Sequence, residues 1–504
     1  MSDGIAKEPI QLYEARKKIH PKRATGSFRR FKWIVMAITL AIYYITPWLR
    51  WDRGEFAPDQ AVLIDIANRR FYAFFIEIWP QEFYFVAGML VMAGIGLFLV
   101  TSVVGRAWCG YTCPQTVWTD LFLVVERYFE GDRNARIKLD KAPWSFDKLR
   151  KRVLKHTTWL IIAVATGGAW IFYFADAPTL LRDLVTGQAH YVAYATVAVL
   201  TTTTYVFGGH MREQVCNYMC PWPRIQAAML DEDSLVVTYN DWRGEPRTHG
   251  TKKAEASGEA HGDCIDCNAC VVVCPAGIDI RDGQQMECIT CALCIDACDD
   301  IMGKIGRPTG LISYSTLNDY NANMALATDP ESATLNPDLV RDKDGKFVDA
   351  IKHFDWRIFL RPRTLLYFFI WVSLGLALLF ALSQRDRMTI SIQHDRNPVF
   401  VTLKDGSIRN GYNVKILNMI PEKRLIHLSV EGLEGAVMTV SDIEGAPASF
   451  ATVPVDPDQV RSLRVFVRQS PENIKSGQTP FSFIATDQQS NEVDTYSTVF
   501  DAPE

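Results

Sequence analysis

Long apolar stretches separated by charged loops dominate residues 33–383, and several approach the roughly 20 residues that a membrane-spanning helix needs. Any one of them could be a buried helix of a soluble core, but five with charges confined to their flanks favour membrane helices. The five predicted spans are residues 33–49, 83–104, 157–175, 191–209 and 364–383. Residues 62–79 carry four charges among their apolar positions, and therefore predict an aromatic segment at the membrane interface instead of a span.

Basic residues are unevenly distributed among the loops. Residues 16–32 and 106–155 hold eight and eleven Lys and Arg, whereas residues 50–82 and 176–190 hold four and one. Cytoplasmic loops carry the excess of basic residues, so the N-terminus and the loop 106–155 are predicted to be cytoplasmic. Alternation then places the region after the fourth span in the cytoplasm and the tail after the fifth span outside it.

The outer tail, residues 384–504, has a different pattern, in which apolar and polar residues alternate in short runs. This alternation predicts strands over residues 388–393, 399–403, 425–430, 463–467 and 481–485, with turns at Asp405-Gly406 and Asn410-Gly411. Short strands at this spacing predict an Ig-like β-sandwich. Because no cysteine occurs there, its core has to hold without a disulfide.

All twelve cysteines fall into four groups. Two are C-x2-C-x2-C-x3-C runs with the bacterial ferredoxin spacing, in which the fourth cysteine of each run ligates the cluster of the other run. The spacing therefore predicts two [4Fe-4S] clusters. The first is held by Cys264, Cys267, Cys270 and Cys298, and the second by Cys288, Cys291, Cys294 and Cys274.

Zinc and disulfides are the alternatives for these runs. CxxC pairs also hold structural zinc, but zinc needs only four ligands per ion and does not call for such a run repeated after a short gap. A disulfide framework is typical of small secreted chains. Here both runs lie in the predicted cytoplasmic segment 211–363, where thiols stay reduced.

The remaining four cysteines form two CxxxCP motifs, Cys109 to Pro114 and Cys216 to Pro221, each following an even-numbered predicted span. This pattern indicates an internal repeat of a two-helix unit. The proline after Cys113 and after Cys220 suits the start of a helix, and a thiol at a helix N-terminus has a lowered pKa. Four converging thiolates would suit Cu(I), zinc or an iron–sulfur cluster. A reversible disulfide or inert packing would also account for the cysteine pairs.

Other redox cofactors leave no trace in the sequence. The apolar spans contain no histidine that could hold a membrane haem, and no GxGxxG motif opens a strand–helix unit to bind a dinucleotide. The electron donor is therefore expected to be another protein or a quinol. The formal net charge of −4 gives no indication of a nucleic-acid partner.

These patterns together predict a membrane α-helical bundle, a cytoplasmic α+β two-cluster ferredoxin domain and an all-β Ig-like sandwich. The predicted divisions are a basic N-terminal arm, 1–32, a membrane domain with four spans, 33–230, the ferredoxin domain with its linkers, 231–363, the fifth span, 364–383, and the sandwich, 384–504.

The order of these features resembles the CcoG (FixG, RdxA) family of bacterial accessory factors for assembly of cbb3-type cytochrome oxidase. The resemblance includes both CxxxCP motifs, all eight ferredoxin-type cysteines and residues 298–314, 395–400 and 410–418. Other membrane ferredoxins of the quinol-dehydrogenase type share the CxxxCP motifs, so the outer domain distinguishes this family.

The resemblance implies an oxidoreductase of the bacterial inner membrane, with a periplasmic C-terminal domain, that reduces Cu(II) to Cu(I). Its partners would be copper, copper chaperones or a transporter, and the oxidase assembly machinery. We expect Cys109, Cys113, Cys216 and Cys220 to be the catalytic copper ligands. A quinol-to-ferredoxin electron conduit and a non-catalytic Cu(I)-binding scaffold stay open as functions, and a homodimer stays open as the oligomeric state.

Overall fold

A computed structural model describes residues 18–54, 57–249, 261–331, 334–342, 347–352, 355–441, 443 and 446–503. The chain forms two compact units, one of residues 1–46 and 86–375 and one of residues 47–85 and 376–504. The first seventeen residues of the predicted basic arm lie outside the described residues. All twelve cysteines belong to the first unit.

The described residues contain four helices that are long and apolar enough to cross a membrane. Two of them, Pro80–Val104 and Pro362–Ser383, are almost uncovered by the rest of the chain. Only 6% and 0% of the most apolar 18-residue window of each is buried. A helix that is apolar all round and uncovered by protein requires an apolar solvent. The four helices are Ser27–Trp48, Pro80–Val104, Tyr191–Met211 and Pro362–Ser383, and they correspond to four of the five predicted spans.

The predicted span over residues 157–175 is not one continuous α-helix. The helix Phe146–Thr166 ends before Gly167, and a 3₁₀ helix, Gly168–Tyr173, follows. The break occurs where the segment packs most closely on its neighbour, because a Cβ on Gly167 would lie 2.4 Å from the carbonyl oxygen of Leu200. The segment runs antiparallel to Tyr191–Met211, since its opposite end brings Trp159 against Gly209.

The first unit contains further, mostly shorter helices and helical turns. The chain also forms π-helical turns over Tyr205–Met211 and Val215–Met219 and 3₁₀ turns over Ile280–Asp282, Pro337–Val340 and Trp356–Leu360. The α-helices in addition to those above are Ala107–Tyr111, Pro114–Glu130, Arg133–Lys141, Ala177–Thr186, Trp222–Met229, Asp241–Gly244, Ala269–Val273, Leu293–Lys304 and Leu317–Ala327.

The ferredoxin-like part is built on two antiparallel strands, Val236–Tyr239 and Ile312–Ser315, packed on the cysteine-bearing helices. Residues 240–249, which precede the first cysteine run, are mostly buried or half-buried. Trp242 and Arg243 are buried, and Trp242 packs with Val340 and Ile351 in a small core. Residues 250–260 lie outside the described residues. Val340 and Ile351 follow the second cysteine run, so the chain after that run is folded onto the ferredoxin-like part where it is described.

Buried ion pairs fix the helix Pro114–Glu130 within the first unit. Glu126 is 3% exposed and binds Arg136 at 2.8 Å and Arg212 at 2.7 Å, with Lys155 at 3.7 Å. Burial by itself would raise the pKa of Glu126, but the three cations outweigh it and lower that pKa to about 2. The carboxylate therefore stabilises the fold fully above its ordinary pKa, and this contribution is lost as the pH falls towards 2.

Glu126→Gln is expected to destabilise the protein by about 3–5 kcal/mol, because it leaves three buried cations without their shared anion. The measurement is the thermal unfolding midpoint of the purified protein near neutral pH. Asp147→Asn is the matched control, since Asp147 pairs with Arg150 and Lys151 on an exposed surface and is expected to change little. Equal midpoints for the two variants would contradict the structural role of Glu126.

Residues 62–79 form a small antiparallel sheet in the second unit, with strands Val62–Asp65, Arg70–Ala73 and Ile76–Ile78. Two of the four charged residues that made a span improbable form an ion pair with each other in this sheet. Arg70 pairs with Glu77 at 3.1 Å and lies over the Trp79 ring. Of the aromatic residues, Tyr72 is buried in the sheet and Phe75 is exposed. The segment is therefore a folded sheet and not a span, and its position at the membrane interface stays a prediction.

The tail is a sandwich of two antiparallel sheets around one apolar core, and the Ig-like prediction is confirmed in class. Every predicted strand is present, and four more lie at residues 408–418, 437–440, 450–455 and 493–502. One sheet has the order Val437–Val440, Val460–Gln469, Ile408–Asn418 and Met388–His394, with Val401–Thr402 also on Ile408–Asn418. The other has the order Phe450–Val455, Arg424–Glu431, Gly477–Asp487 and Val493–Ala502.

One of the two predicted turns in this tail is wrong. Gly406 has φ +81° and closes a turn in which its N–H donates to the Leu403 carbonyl, as predicted. Asn410-Gly411 instead lies inside the strand Ile408–Asn418, paired in register with Phe466 and Val467. Gly411 is required there for close packing, because a Cβ would lie 2.3 Å from the Asp395 carboxylate.

Candidate metal centre

The eight ferredoxin-type cysteines are brought into two groups of four, with the exchange between runs that their spacing predicts. Cys298, from the second run, lies within electrostatic range of Cys264, Cys267 and Cys270. Cys274, from the first run, interacts in the same way with Cys288 and Cys291. Cys294 interacts with Cys291, Cys288 and Cys274, and also with Cys270 of the other group, so the two groups are neighbours.

The backbone of both runs repeats an unusual conformation. The residues on either side of the second cysteine are left-handed in both runs, namely Asp266 (φ 49°) and Asn268 (φ 57°) in the first and Thr290 (φ 55°) and Ala292 (φ 59°) in the second. None of them is glycine, so each costs about 1–2 kcal/mol. Alternating left-handed residues turn successive N–H groups inwards and form concave anion sites of the kind found around Fe–S clusters.

The second group lines a cavity whose remaining wall includes Val237, Ile280 and Leu293. An iron–sulfur cluster inserts four irons between its thiolates, so its ligands lie further apart than those of a single ion. No three His, Cys, Asp or Glu side chains of the described part of the chain, the CxxxCP cysteines included, are arranged to hold one metal ion. The donor set and the backbone conformation of the two runs fit clusters.

Burial raises the pKa of Cys270 and Cys298 in the first group and of Cys274, Cys288 and Cys294 in the second. The pKa of Cys270 rises to about 11 and that of Cys274 to about 12, with desolvation as the largest cause and neighbouring thiols or carboxylates adding to it. Buried thiols of this kind stay protonated at neutral pH unless a cation replaces the proton. A cluster would supply that positive charge.

The four CxxxCP cysteines also converge. Cys109 lies in the short helix Ala107–Tyr111, and Cys113 is the N-cap of Pro114–Glu130. Cys216 lies in the π-helical turn Val215–Met219, and Cys220 follows that turn directly. Cys109 lies within electrostatic range of the other three, and Cys216 of Cys113 and Cys220. Residues more than a hundred positions apart therefore form one thiol cluster, which we call the CxxxCP quartet.

The prediction of a lowered pKa at Cys113 is wrong. Cys113 does cap a helix that starts at Pro114, and backbone N–H groups of Gln115 and Thr116 do lower its pKa. Burial outweighs them, so the net pKa of Cys113 is raised. Burial and the other thiols likewise raise the pKa of Cys109 to about 12 and that of Cys216 to about 11. Cys220 precedes its helix by two residues, because Pro221 is the N-cap of Trp222–Met229.

The quartet packs directly on the second ferredoxin run. A Cβ on Gly110, which follows Cys109, would lie 2.7 Å from the Ile289 carbonyl oxygen and 3.2 Å from the Cα of Cys291. The Tyr111 hydroxyl donates to the Cys291 carbonyl at 3.3 Å. The group of Cys291 therefore lies between the group of Cys298 and the quartet. We call the group of Cys291 the inner group and the group of Cys298 the outer group.

Two polar side chains that hold this arrangement were not predicted from the sequence. Arg106 is 5% exposed and donates to the carbonyls of Met286, Cys288 and Pro223, so it ties together both CxxxCP segments and the second run. Gln226 is fully buried and accepts from the Cys109 thiol at 3.0 Å. For Arg106 the sequence offered only a charged residue shortly after a predicted span. This position does not identify Met286, 180 residues away, as its partner.

An apolar cavity of about 320 Å³ adjoins the quartet on its membrane side. Thr112 and Pro114, on either side of Cys113, form part of its wall. The wall also includes Tyr43 and Thr203 from two candidate spans, Thr166 and Trp170 from the predicted span over residues 157–175, and Trp118 from the helix Pro114–Glu130. An apolar cavity with a few polar groups is typical of a site for a small organic ligand.

Gly110→Val is expected to lower the rate of electron transfer between the second run and the quartet severalfold, because the added side chain pushes the two apart. The protein is first reduced chemically, and the reduction of a redox-active metal ion bound to the quartet is then followed in a single turnover. Gly303→Val is the matched control, since a Cβ there meets nothing within 4 Å. If both variants transfer electrons at the wild-type rate, the close packing has no functional role.

These features define a membrane-associated iron–sulfur electron-transfer protein with a C-terminal Ig-like domain. Family models agree: residues 211–317 match a 4Fe-4S dicluster domain, residues 85–128 a 4Fe-4S binding domain, and residues 378–503 the Ig-like fold at the C-terminus of FixG. The chain is 65% identical to the nitrogen fixation protein FixG of Rhizobium meliloti over 492 residues, 98% of this chain and 94% of that protein. It belongs to the FixG family.

Other relatives are consistent with this assignment. Protein RdxB of Cereibacter sphaeroides is 53% identical over 90% of both chains, and protein RdxA of the same organism is 54% identical over 87% of this chain and 88% of that protein. Among solved structures, a FixG-related protein from Vibrio parahaemolyticus covers 23% of this chain and 96% of its own, with 23% identity and a TM-score of 0.20.

Proposed function

We propose that this protein is a cupric reductase of the bacterial inner membrane that supplies Cu(I) for assembly of cbb3-type cytochrome oxidase, and that the CxxxCP quartet binds the copper. The observation that carries the proposal is the packing of Gly110 and Tyr111 on the Cys291 segment, which puts the quartet beside a cluster-type thiol group. The basic loops favour a cytoplasmic position for all four thiol groups, with the sandwich in the periplasm.

The chemistry needs one electron per copper ion, since Cu(II) gains one electron to become Cu(I). Bound iron–sulfur clusters supply electrons one at a time. The chain's own contribution is a soft thiol site, which favours Cu(I) over harder ions, held rigidly by the Arg106 and Gln226 hydrogen bonds. The product copper would pass to copper chaperones or to the oxidase assembly machinery.

The direct experiment is a single-turnover copper assay on anaerobically purified holoprotein. Protein reduced with dithionite and freed of excess reductant is mixed with Cu(II) and a chromogenic Cu(I) chelator. We expect about two Cu(I) per chain, one for each one-electron cluster. Protein with oxidised clusters is the control, and it should give about two Cu(I) fewer per chain, since any Cu(I) formed by oxidation of thiols to a disulfide appears in both samples. Equal Cu(I) formation by oxidised and reduced protein would contradict reduction by the clusters.

Copper affinity should depend steeply on pH. The pKa values of Cys109 and Cys216 are raised to about 12 and about 11, so both thiols are protonated through the neutral range and copper has to displace their protons. Affinity for Cu(I) should therefore rise with pH by about tenfold per pH unit for each thiol bound as thiolate. Competition with a Cu(I) chelator of known affinity between about pH 6 and 8 measures this, and a flat profile would exclude thiol ligands.

A quinol-to-ferredoxin conduit is the second candidate, and the apolar cavity beside Cys113 favours it. A quinol bound there would release two electrons and two protons and leave as quinone, with the clusters as acceptors. Quinol oxidation by the oxidised holoprotein, followed optically with and without copper, separates the two functions. Copper-dependent oxidation supports a quinol-driven cupric reductase, and equal rates without copper support the conduit.

A further inference from the structure

A second cavity, of about 930 Å³, lies apart from the thiol groups at the start of the helix Ser27–Ile45. Four arginines line it, and no carboxylate does. Two of them, Arg29 and Arg30, lie in the first turn of that helix, Arg23 precedes it, and Arg127 comes from the helix Pro114–Glu130. We call this the arginine cavity.

The positive charge of the arginine cavity is poorly neutralised by the described part of the chain. Arg29 binds Asp120 at 3.1 Å, but Asp120 also binds Lys32 at 2.9 Å, so one carboxylate serves two cations. Arg127 forms no ion pair within the described residues, and its Nε is buried without a hydrogen-bond partner. Asp132 and Asp296, two further acids outside the lining, accept from the backbone N–H groups of Arg23 and of Arg29.

The electrostatics of Arg127 agree with this shortage of anions. Burial is the largest cause that lowers the pKa of Arg127 to about 10, followed by the positive charges of Arg29 and Arg136, while Asp120 and Asp132 act in the opposite direction. A guanidinium at this site gains stability from any anion that enters the cavity. Arginine forks bind the oxygens of a phosphate group in pairs, and four such forks around one cavity match a phosphate better than a carboxylate.

The position of the cavity indicates where the phosphate comes from. It opens at the first turns of a candidate membrane span, Ser27–Trp48. Trp33 and Tyr128 line its edge and are 37% and 83% exposed, and the Arg29 guanidinium lies 4.5 Å from the Trp33 ring centroid. Tryptophan and tyrosine are enriched at the headgroup level of a bilayer, and basic pockets between membrane helices bind anionic headgroups.

We propose that the arginine cavity binds the headgroup phosphate of an anionic phospholipid. Such binding would also reach the cluster region, because Asp296, between Cys294 and Cys298, accepts from the backbone N–H groups of Phe28 and Arg29 at 3.1 and 2.7 Å. The bound lipid would stabilise the start of this helix and, through Asp296, its contact with the second ferredoxin run.

The test uses the full-length holoprotein in nanodiscs of phosphatidylcholine alone or with phosphatidylglycerol, and the thermal unfolding midpoint is measured. We expect the midpoint to rise by several degrees with phosphatidylglycerol. Arg30→Gln combined with Arg127→Gln should lose most of this rise while keeping its midpoint in phosphatidylcholine, because it removes one exposed and one uncompensated cation. Lys138→Gln combined with Lys141→Gln removes the same charge from positions outside the cavity and should keep the rise.

Three results would overturn the proposal. An equal rise in the Arg30 and Arg127 double variant would show that the cavity is not the lipid site. An equal loss in the lysine control would show a general charge effect. If inorganic phosphate, added to phosphatidylcholine nanodiscs, produces the same rise as phosphatidylglycerol, the cavity takes free phosphate and not a lipid.

Discussion

Replacing Cys109 and Cys216 together by serine is expected to abolish Cu(I) binding and to lower single-turnover copper reduction at least tenfold, while the iron content stays unchanged. Serine keeps the size of each side chain but loses the soft sulfur ligand that Cu(I) requires. The two cysteines come from different CxxxCP motifs, so the change leaves neither motif intact. Iron content, the cluster EPR spectrum and Cu(I) formation are measured on the same preparation.

Thr112→Ser is the matched control for this variant, because it changes a hydroxyl residue directly beside Cys113 and removes no thiol. Its copper reduction and iron content should both equal those of the wild type. Unchanged copper reduction in the double cysteine variant, with unchanged clusters, would show that the quartet is not the copper site.

Cys291→Ser should have the second large effect, with about half of the iron lost and copper reduction abolished. Cys291 belongs to the thiol group on which Gly110 and Tyr111 pack, so this change removes the electron source next to the quartet. Cu(I) binding should survive, because the quartet itself is untouched. The assay is the single-turnover reduction with chemically reduced protein, and iron analysis confirms that one cluster remains.

Cys267→Ser is the comparison, since Cys267 belongs to the outer group and is exposed. It too should lose about half of the iron, yet it should still reduce copper once per chain after chemical reduction, because the inner group is intact. If Cys291→Ser reduces copper as well as Cys267→Ser does, the serial order of the thiols is wrong. If neither change affects copper reduction, the clusters are not the source of the electron.

The grouping of the eight ferredoxin-type cysteines was predictable, because their spacing is local and fixes which residues can reach one cluster. The strands of the tail were predictable for a similar reason, since alternation shows in short windows. The turn predicted at Asn410-Gly411 failed because pairing with Phe466 and Val467 overrides the local preference. The span predicted over residues 157–175 changes from an α-helix to a 3₁₀ helix at Gly167, and the close packing on Leu200 at this point could not be predicted from the sequence.

The parts that the sequence did not predict depend on contacts between distant residues. Arg106 binds carbonyls at positions 223, 286 and 288, and nothing near Arg106 in the chain indicates them. The direction of the Cys113 pKa shift also depends on burial by remote segments, which outweighs the local effect of the helix N-terminus. The convergence of the CxxxCP motifs was predicted from their repetition, but their packing on the second run was not.

The central claim is that the CxxxCP quartet is a copper site beside two clusters, and the match of residues 85–128 to a 4Fe-4S binding domain makes a further cluster the sharpest alternative. Iron and Cu(I) stoichiometry of anaerobically purified wild type and the Cys109 and Cys216 double serine variant tests this directly. The account predicts about eight irons per chain in both proteins, with Cu(I) binding only in the wild type. About twelve irons in the wild type, falling to about eight in the variant, would contradict it and make the quartet a third cluster site.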